Sequence, residues 1–177
     1  RTIQMGNGNR GNIMIIKNGL VFTPEGKFEK KDLYVEGEYV AKETTDNKEV
    51  EAEGCYVIPG LVDIHFHGCV RHDMCDGTEE SIQALADYEA ANGVLAICPA
   101  TMTIPEEELF QAMKAAKGHK NGKGADLVGI NMEGPFINKE KKGAQKEEDI
   151  KLADVELFHK LQEAAGGLIK LVEDRKS

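Results

Sequence analysis

From residue 14 to residue 56 apolar and polar positions alternate in short runs, "MIIKNGLVFT" followed by "PEGKFEKKDLYVEGEYVAKE". Alternation with a period of two turns one side of an extended chain toward a core and the other toward water, so this segment reads as short β-strands. Asn18-Gly19, Glu25-Gly26 and Glu36-Gly37 are its turn candidates. After Pro59 the apolar residues come in blocks. "LVDIHF" (61–66) reads as a buried strand, and Thr78 with Glu79 and Glu80 opens a helix that carries Ile82, Leu85 and Ala86 and stops at Gly93. "VLAIC" (94–98) is the next strand. Thr103 and Glu106 are spaced as a capping box around Pro105, ahead of a helix with a core face of Leu109, Phe110, Met113 and Ala116 that stops by Gly118. "LVGINM" (127–132) is a third strand. Asp154 caps a helix bearing Val155, Phe158, Leu161 and Ala165, which ends at Gly166-Gly167 before a fourth strand, "LIKLV" (168–172).

Strands that are apolar almost throughout and alternate with helices imply a parallel sheet covered by helices. Either an open doubly wound sheet or a (β/α)8 barrel satisfies that pattern. Polar residues collect at the carboxyl ends of successive strands: His65 and His67 on the first, Thr101 and Thr103 after the second, Glu133 after the third. A barrel gathers those ends around one mouth, which favours the barrel.

Composition narrows the function. The 177 residues are 41% hydrophobic and 30% charged, the balance of a globular domain with a core. No apolar stretch nears the roughly 18 residues of a membrane-spanning helix. A net charge of −9 and the lack of a basic cluster interleaved with aromatics speak against nucleic acid as a partner. The run "KEKK" (139–142) reads as a solvated loop that, beside a site, could meet an anionic substrate. The opening "RTIQMGNGNRGN" is aperiodic and lacks an apolar signal-peptide core; residues 1–13 read as a disordered tail or expression remnant, with Met14 a plausible native start. Cys55, Cys69, Cys75 and Cys98 show no CxxC spacing, and reduced thiols of a cytoplasmic protein are the expectation. Because Cys69 and Cys75 follow the histidines closely, a Cys/His zinc site is one alternative.

The candidate chemistry lies in "DIHFHG" (63–68). On a strand, Asp63, His65 and His67 share one face and Val62, Ile64 and Phe66 the other. Two imidazoles with a carboxylate outline a site for zinc or a similar divalent metal. Polar strand-end residues with satisfied hydrogen bonds are the alternative. Glu133, in "NMEGPF", follows a strand and precedes a Gly-Pro turn, and its flanks Met132 and Phe136 argue against full exposure, so it is the candidate third ligand. His72, His119 and His159 have no such setting and read as surface or helix residues.

"PGLVDIHFHG", "ATMT", "VGINMEGPFI" and "KKGAQ", in this order and spacing, resemble the N-acetylglucosamine-6-phosphate deacetylases of the amidohydrolase superfamily from about Met14 to about Val172. The resemblance implies a (β/α)8 barrel with a small β-sandwich built from both chain ends, and hydrolysis of N-acetylglucosamine 6-phosphate to acetate and glucosamine 6-phosphate. It makes Glu133 the principal metal ligand and His65 and His67 the pair that holds a second ion in some members, so one or two ions, with zinc the expected metal. It sets Ala144 against the sugar, through its backbone, and Gln145 where some relatives have histidine at the substrate. "EGPFI" argues against amidohydrolases of cyclic amides, which commonly use a carboxylated lysine there.

The family pattern has two more histidine ligands and a catalytic aspartate on later strands; within these 177 residues no catalytic residue is assigned. Residues 57–177 are about half of the roughly 250 that a closed barrel takes. The expectation is therefore a β-sandwich segment over 14–56 and, over 57–177, a barrel truncated to about four βα units. Such a half-barrel either pairs with a second copy or is marginally stable, and the chain alone is an inactive portion of the enzyme or a non-catalytic fragment or association module.

Overall fold

The computed structural model describes residues 13–37, 39–44 and 48–173. The remainder of the expected tail, residues 1–12, and the last four residues lie outside that set. The chain divides into two compact units, residues 1–60 and 61–177.

The first unit is one mixed sheet. Its strands are β1 (Ile13–Phe22), β2 (Phe28–Glu36), β3 (Tyr39–Ala41), β4 (Glu49–Glu51) and β5 (Tyr56–Val57). The order is β3-β2-β1-β4, antiparallel except that β4 and β5 both run parallel to β1. Two of the expected turns are present: Gly26, at φ 73°, donates its amide to Thr23 O, and Gly37 follows the end of β2 at φ 63°. Asn18-Gly19 is instead a bulge inside β1, where the register with β2 shifts. Asn18 takes φ 60°, and its amide and side chain donate to Asp32 and Glu51. Gly19 is required there, since a Cβ would stand 2.5 Å from Val57 Cγ2. A bulge satisfies the asparagine locally without reversing the chain, so an Asn-Gly pair here lengthens one strand rather than joining two.

The second unit holds β6 (Leu61–Asp63), β7 (Gly68–Cys69), β8 (His72–Asp73), α1 (Glu79–Ala91), β9 (Val94–Ile97), α2 (Glu106–Gly118), β10 (Asp126–Leu127), β11 (Ile130–Glu133), α3 (Val155–Ala164) and β12 (Ile169–Glu173). β6, β9 and β10 form one parallel sheet in the order β10-β9-β6, β11 and β12 form another parallel pair, and an Ala100–Asn131 bridge carries the pairing between them. The parallel pairs β6–β9, β9–β10 and β11–β12 are joined in sequence through α1, α2 and α3 respectively. The third expected strand is split at Val128-Gly129, so that β10 serves one ladder and β11 the next. β7 and β8 close a short hairpin through Val70 and Arg71, both at positive φ.

Packing of the helices follows their apolar stripes. Ile82, Leu85 and Ala86 of α1, Leu109, Ala112 and Met113 of α2, and Leu157 and Leu161 of α3 meet Ile97, Leu127, Ile130 and Met132 from the strands in one continuous core. Thr78 caps α1, accepting a hydrogen bond from the Ser81 amide at 3.1 Å, and Asp154 caps α3 through the Leu157 amide at 3.0 Å. Three expectations fail here. Thr103 does not cap α2: Pro105 holds the cap position with no side-chain bond, the Thr103 hydroxyl is buried without a hydrogen-bond partner, and the Thr103 amide that a capping box would give to Glu106 donates to Gln145. Val155 is exposed, since α3 buries the stripe through Leu157 and Leu161 instead. The "LVDIHF" strand is short and open, with Leu61, Val62 and Ile64 all exposed, because β6 pairs with β9 alone among the described strands.

His119, at the carboxyl end of α2, is half-buried and its Nε2 has no partner. Burial lowers its pKa from the usual value near 6.5, against the opposing charges of Glu79 and Asp126. A histidine whose folded pKa is depressed contributes stability above the unfolded pKa and loses it as pH falls through 6.5 toward the folded value. Urea unfolding followed between pH 7.5 and 5 should show stability decreasing over that window, with a shallower decrease in His119→Gln. Among the described residues no helix is long and apolar enough to cross a membrane.

Candidate metal centre

β6 ends at Asp63 because its own carboxylate accepts the His65 amide at 3.0 Å, a local turn that competes with strand pairing. The following residues stay extended against the chain beyond β9: the Cys98 amide donates to Asp63 O and the Ala100 amide to Phe66 O. His67 is fixed from behind, its carbonyl accepting the Met74 amide. Asp63, with its carboxylate on the His65 amide, does not join the group that His65 and His67 form with Glu133, contrary to the shared face expected from a continuous strand.

Glu133 is the last residue of β11, with Gly134 directly after it at φ 74°. Only glycine fits there, because a Cβ would collide with the Thr103 hydroxyl. Thr101 Oγ1 donates to the Glu133 carbonyl at 3.3 Å. The carboxylate itself is 7% exposed, a costly position for a charge unless it is hydrogen-bonded and paired. Gln145 Nε2 donates to Oε1 at 2.9 Å. Oε2 faces both imidazoles, 3.2 Å from His67 Nε2 and 3.5 Å from His65 Nε2. The two rings stand nearly perpendicular, their centroids 5.2 Å apart.

His65, His67 and Glu133 are therefore brought together as the residues suggested, their ligand atoms all within 4.8 Å of one another. Ligands about 2.0–2.1 Å from a tetrahedral ion stand about 3.3–3.4 Å from one another, and the two measured separations bracket that spacing. Two imidazole nitrogens and one carboxylate oxygen suit zinc-class metals, and three protein ligands leave coordination open for water or substrate. The residues fit a divalent ion on geometry and on donor chemistry. Among the described residues, the cysteine alternative finds no support in this group. Burial pushes the Cys75 thiol up to about 12, and Cys69 is raised by burial as well.

Behind the three ligands lies a polar layer of which the sequence pointed to only a part. Gln145 is buried, its Oε1 accepting the Thr103 amide at 2.6 Å while its Nε2 holds Glu133. Ala144 is exposed beside it. Asn131 and Glu173 escaped notice: the Asn131 amide lies 3.0 Å from His65 Nδ1 and donates to Glu173 Oε1 at 3.2 Å, and that same oxygen is 2.8 Å from His65 Nδ1. Asn131 carried a signal, a polar residue within an apolar strand two positions before Glu133 and so on the same face. Glu173 ends β12 as Glu133 ends β11, and the two are paired in register. His72 bonds Ser81 at the start of α1 and His159 is exposed on α3, away from this group.

A scan against protein-family models finds no match. In sequence the chain is 34% identical over 164 residues to N-acetylglucosamine-6-phosphate deacetylase of Bacillus subtilis (strain 168), an alignment covering 89% of this chain and 40% of that protein. It is 26% identical to the deacetylase of the same name from Lysinibacillus sphaericus, over 90% of this chain and 43% of the relative. The chain is a homologue of the N-acetylglucosamine-6-phosphate deacetylases. Its fold agrees with a crystal structure of that enzyme from Pasteurella multocida, with a TM-score of 0.80 at 20% identity over 91% of this chain and 44% of the other. The chain spans about 40% of the length of the curated relatives it matches, and corresponds to their N-terminal part. The resemblance carried by "EGPFI" and "KKGAQ" is thereby supported from outside those motifs.

Proposed function

We propose that this chain carries one wall of the active site of a metal-dependent hydrolase that removes acetate from N-acetylglucosamine 6-phosphate, giving glucosamine 6-phosphate. The observation that carries the reading is the convergence of His65, His67 and Glu133 on one point. The parallel succession of β6, β9, β10, β11 and β12 with intervening helices supports a segment of a (β/α)8 barrel, and zinc, as one or two ions, is the proposed metal. A divalent ion held there supplies polarisation of the amide carbonyl and a lowered pKa for the attacking water.

The chain's own residues set up that chemistry. Glu133 provides the buried negative charge, and Gln145 turns its second oxygen away from the two imidazoles. His65 and His67 stand on the solvent side, at 42% and 37% exposure, where a substrate amide can approach. Ala144, through its backbone, and Gln145 line the sugar in this reading. Leu61 and Val62 on β6 and Ile64 just after it, all exposed, support association of copies. A cytoplasmic enzyme with reduced cysteines is consistent with the four free thiols.

The resemblance puts the general base and two further imidazole ligands on later barrel strands. The 177-residue chain alone is accordingly expected to bind zinc and release no acetate. Joined to the unmatched remainder of the Bacillus subtilis relative, it is expected to release acetate from the phosphosugar in a reaction abolished by a chelator. Hydrolysis of a cyclic amide in preference to the phosphosugar would overturn the proposal.

A further inference from the structure

We infer that Glu173, seated by Asn131, is a positioning residue that holds His65 in the tautomer with hydrogen on Nδ1 and the Nε2 lone pair toward Glu133. The inference rests on the metal-centre reading above and assigns the layer behind it.

Hydrogen counting leads to it. The Asn131 side chain is buried, and its NH2 group has two hydrogens. It lies within donating distance of the Ile64 carbonyl, at 3.2 Å, and of Glu173 Oε1, at 3.2 Å, both of which only accept. Those two bonds use both hydrogens, so the 3.0 Å approach of Nδ2 to His65 Nδ1 is not a donated bond. Reversing the amide would set its oxygen against the Ile64 carbonyl and the Glu173 carboxylate together. With Asn131 so occupied, the remaining partner of His65 Nδ1 in this group is Glu173 Oε1 at 2.8 Å. A carboxylate accepts, so Nδ1 donates. In neutral imidazole the other nitrogen then carries the lone pair, and that nitrogen, Nε2, faces Glu133 Oε2.

The register of the sheet explains why the contact forms. β11 and β12 run parallel with Glu133 opposite Glu173, so one strand end supplies a carboxylate to the metal position and the next supplies one to the far side of its imidazole ligand. Asn131 bridges them, linked to Ile64 on the histidine segment and to Glu173 on β12. A carboxylate on the outer nitrogen of a metal-binding histidine fixes the ring and raises its basicity as a ligand.

The test uses the whole 177-residue chain labelled with 15N histidine. In the metal-free protein above pH 8, His65 is expected to show a protonated Nδ1 and an unprotonated Nε2, and Glu173→Ala to shift it toward the opposite tautomer. Zinc affinity, read by competition with a chromophoric chelator, is expected to fall about 10–100-fold in Glu173→Ala, the usual effect of losing such a partner. Glu173→Gln keeps the shape with a weaker, uncharged acceptor and is expected to lose affinity measurably but by less than Glu173→Ala; should the alanine variant fail to fold, unchanged zinc affinity in Glu173→Gln overturns the inference. An unchanged tautomer in Glu173→Ala, or a lowered melting temperature with tautomer and affinity both unchanged, overturns the inference. If the parent chain binds no zinc, the metal reading fails while the tautomer measurement still decides this one.

Discussion

Glu133→Ala is expected to weaken zinc binding more than any loss in the surrounding layer, by beyond the roughly 100-fold upper range seen for outer-shell partners. The carboxylate is the anionic member of the three-residue group, and its Oε2 is the atom that both imidazoles face. Removing it takes away one ligand and the charge that balances a divalent ion, and leaves the Gln145 amide facing a void. Glu133→Gln separates these effects. It keeps the volume and an oxygen for Gln145 Nε2, so the fold should hold while zinc affinity falls nearly as far. Chelator competition on both variants, with circular dichroism for integrity, checks this. Affinity within tenfold of the parent in Glu133→Gln would mean that the histidines bind without it.

The second large effect concerns the core. Leu85 on α1 is fully buried among α2 and the strands, and Leu85→Ala should cost about 2–5 kcal/mol through lost burial and the cavity left behind. Whole domains are commonly stable by only about 5–15 kcal/mol, so this one change should lower the denaturation midpoint conspicuously. Val155→Ala is the contrast. Periodicity alone would rank Val155 with the core face of its helix, yet it is 70% exposed, and the substitution should stay within about 0.5 kcal/mol. Urea unfolding of both variants reads the difference directly, and equal losses would contradict the packing described.

Local signals in the chain carried well where the interaction itself is local. Thr78 and Asp154 cap helices because each side chain reaches an amide only three residues ahead, and no distant contact competes. Thr103 has the same spacing to Glu106 and fails: α2 is entered through Pro105, two residues later, and the Thr103 amide that Glu106 would accept in a capping box goes to Gln145, 42 residues on. Asn18-Gly19 likewise reads as a turn in isolation and becomes a bulge once Asp32 and Glu51 supply partners across the sheet.

The site divides in the same way. Residue type and position at strand ends were enough to choose His65, His67 and Glu133, since a metal needs imidazole and carboxylate groups and a parallel sheet collects strand ends. The roles of Asn131, Gln145 and Glu173 were not readable, because each depends on which strand lies next to which and in what register. Asn131 is 66 residues from the histidine it touches.

By itself, then, the sequence determined the kinds of elements, most of their caps, the three residues that meet at the candidate metal centre and, through "EGPFI" and "KKGAQ", the enzymes this chain resembles. Tertiary structure alone decided that "LVDIHF" is exposed along one edge and that Glu173 backs His65. Periodicity and capping are set by neighbours a few residues apart, whereas the pairing of β11 with β12 brings together groups whose separation along the chain carries no signal.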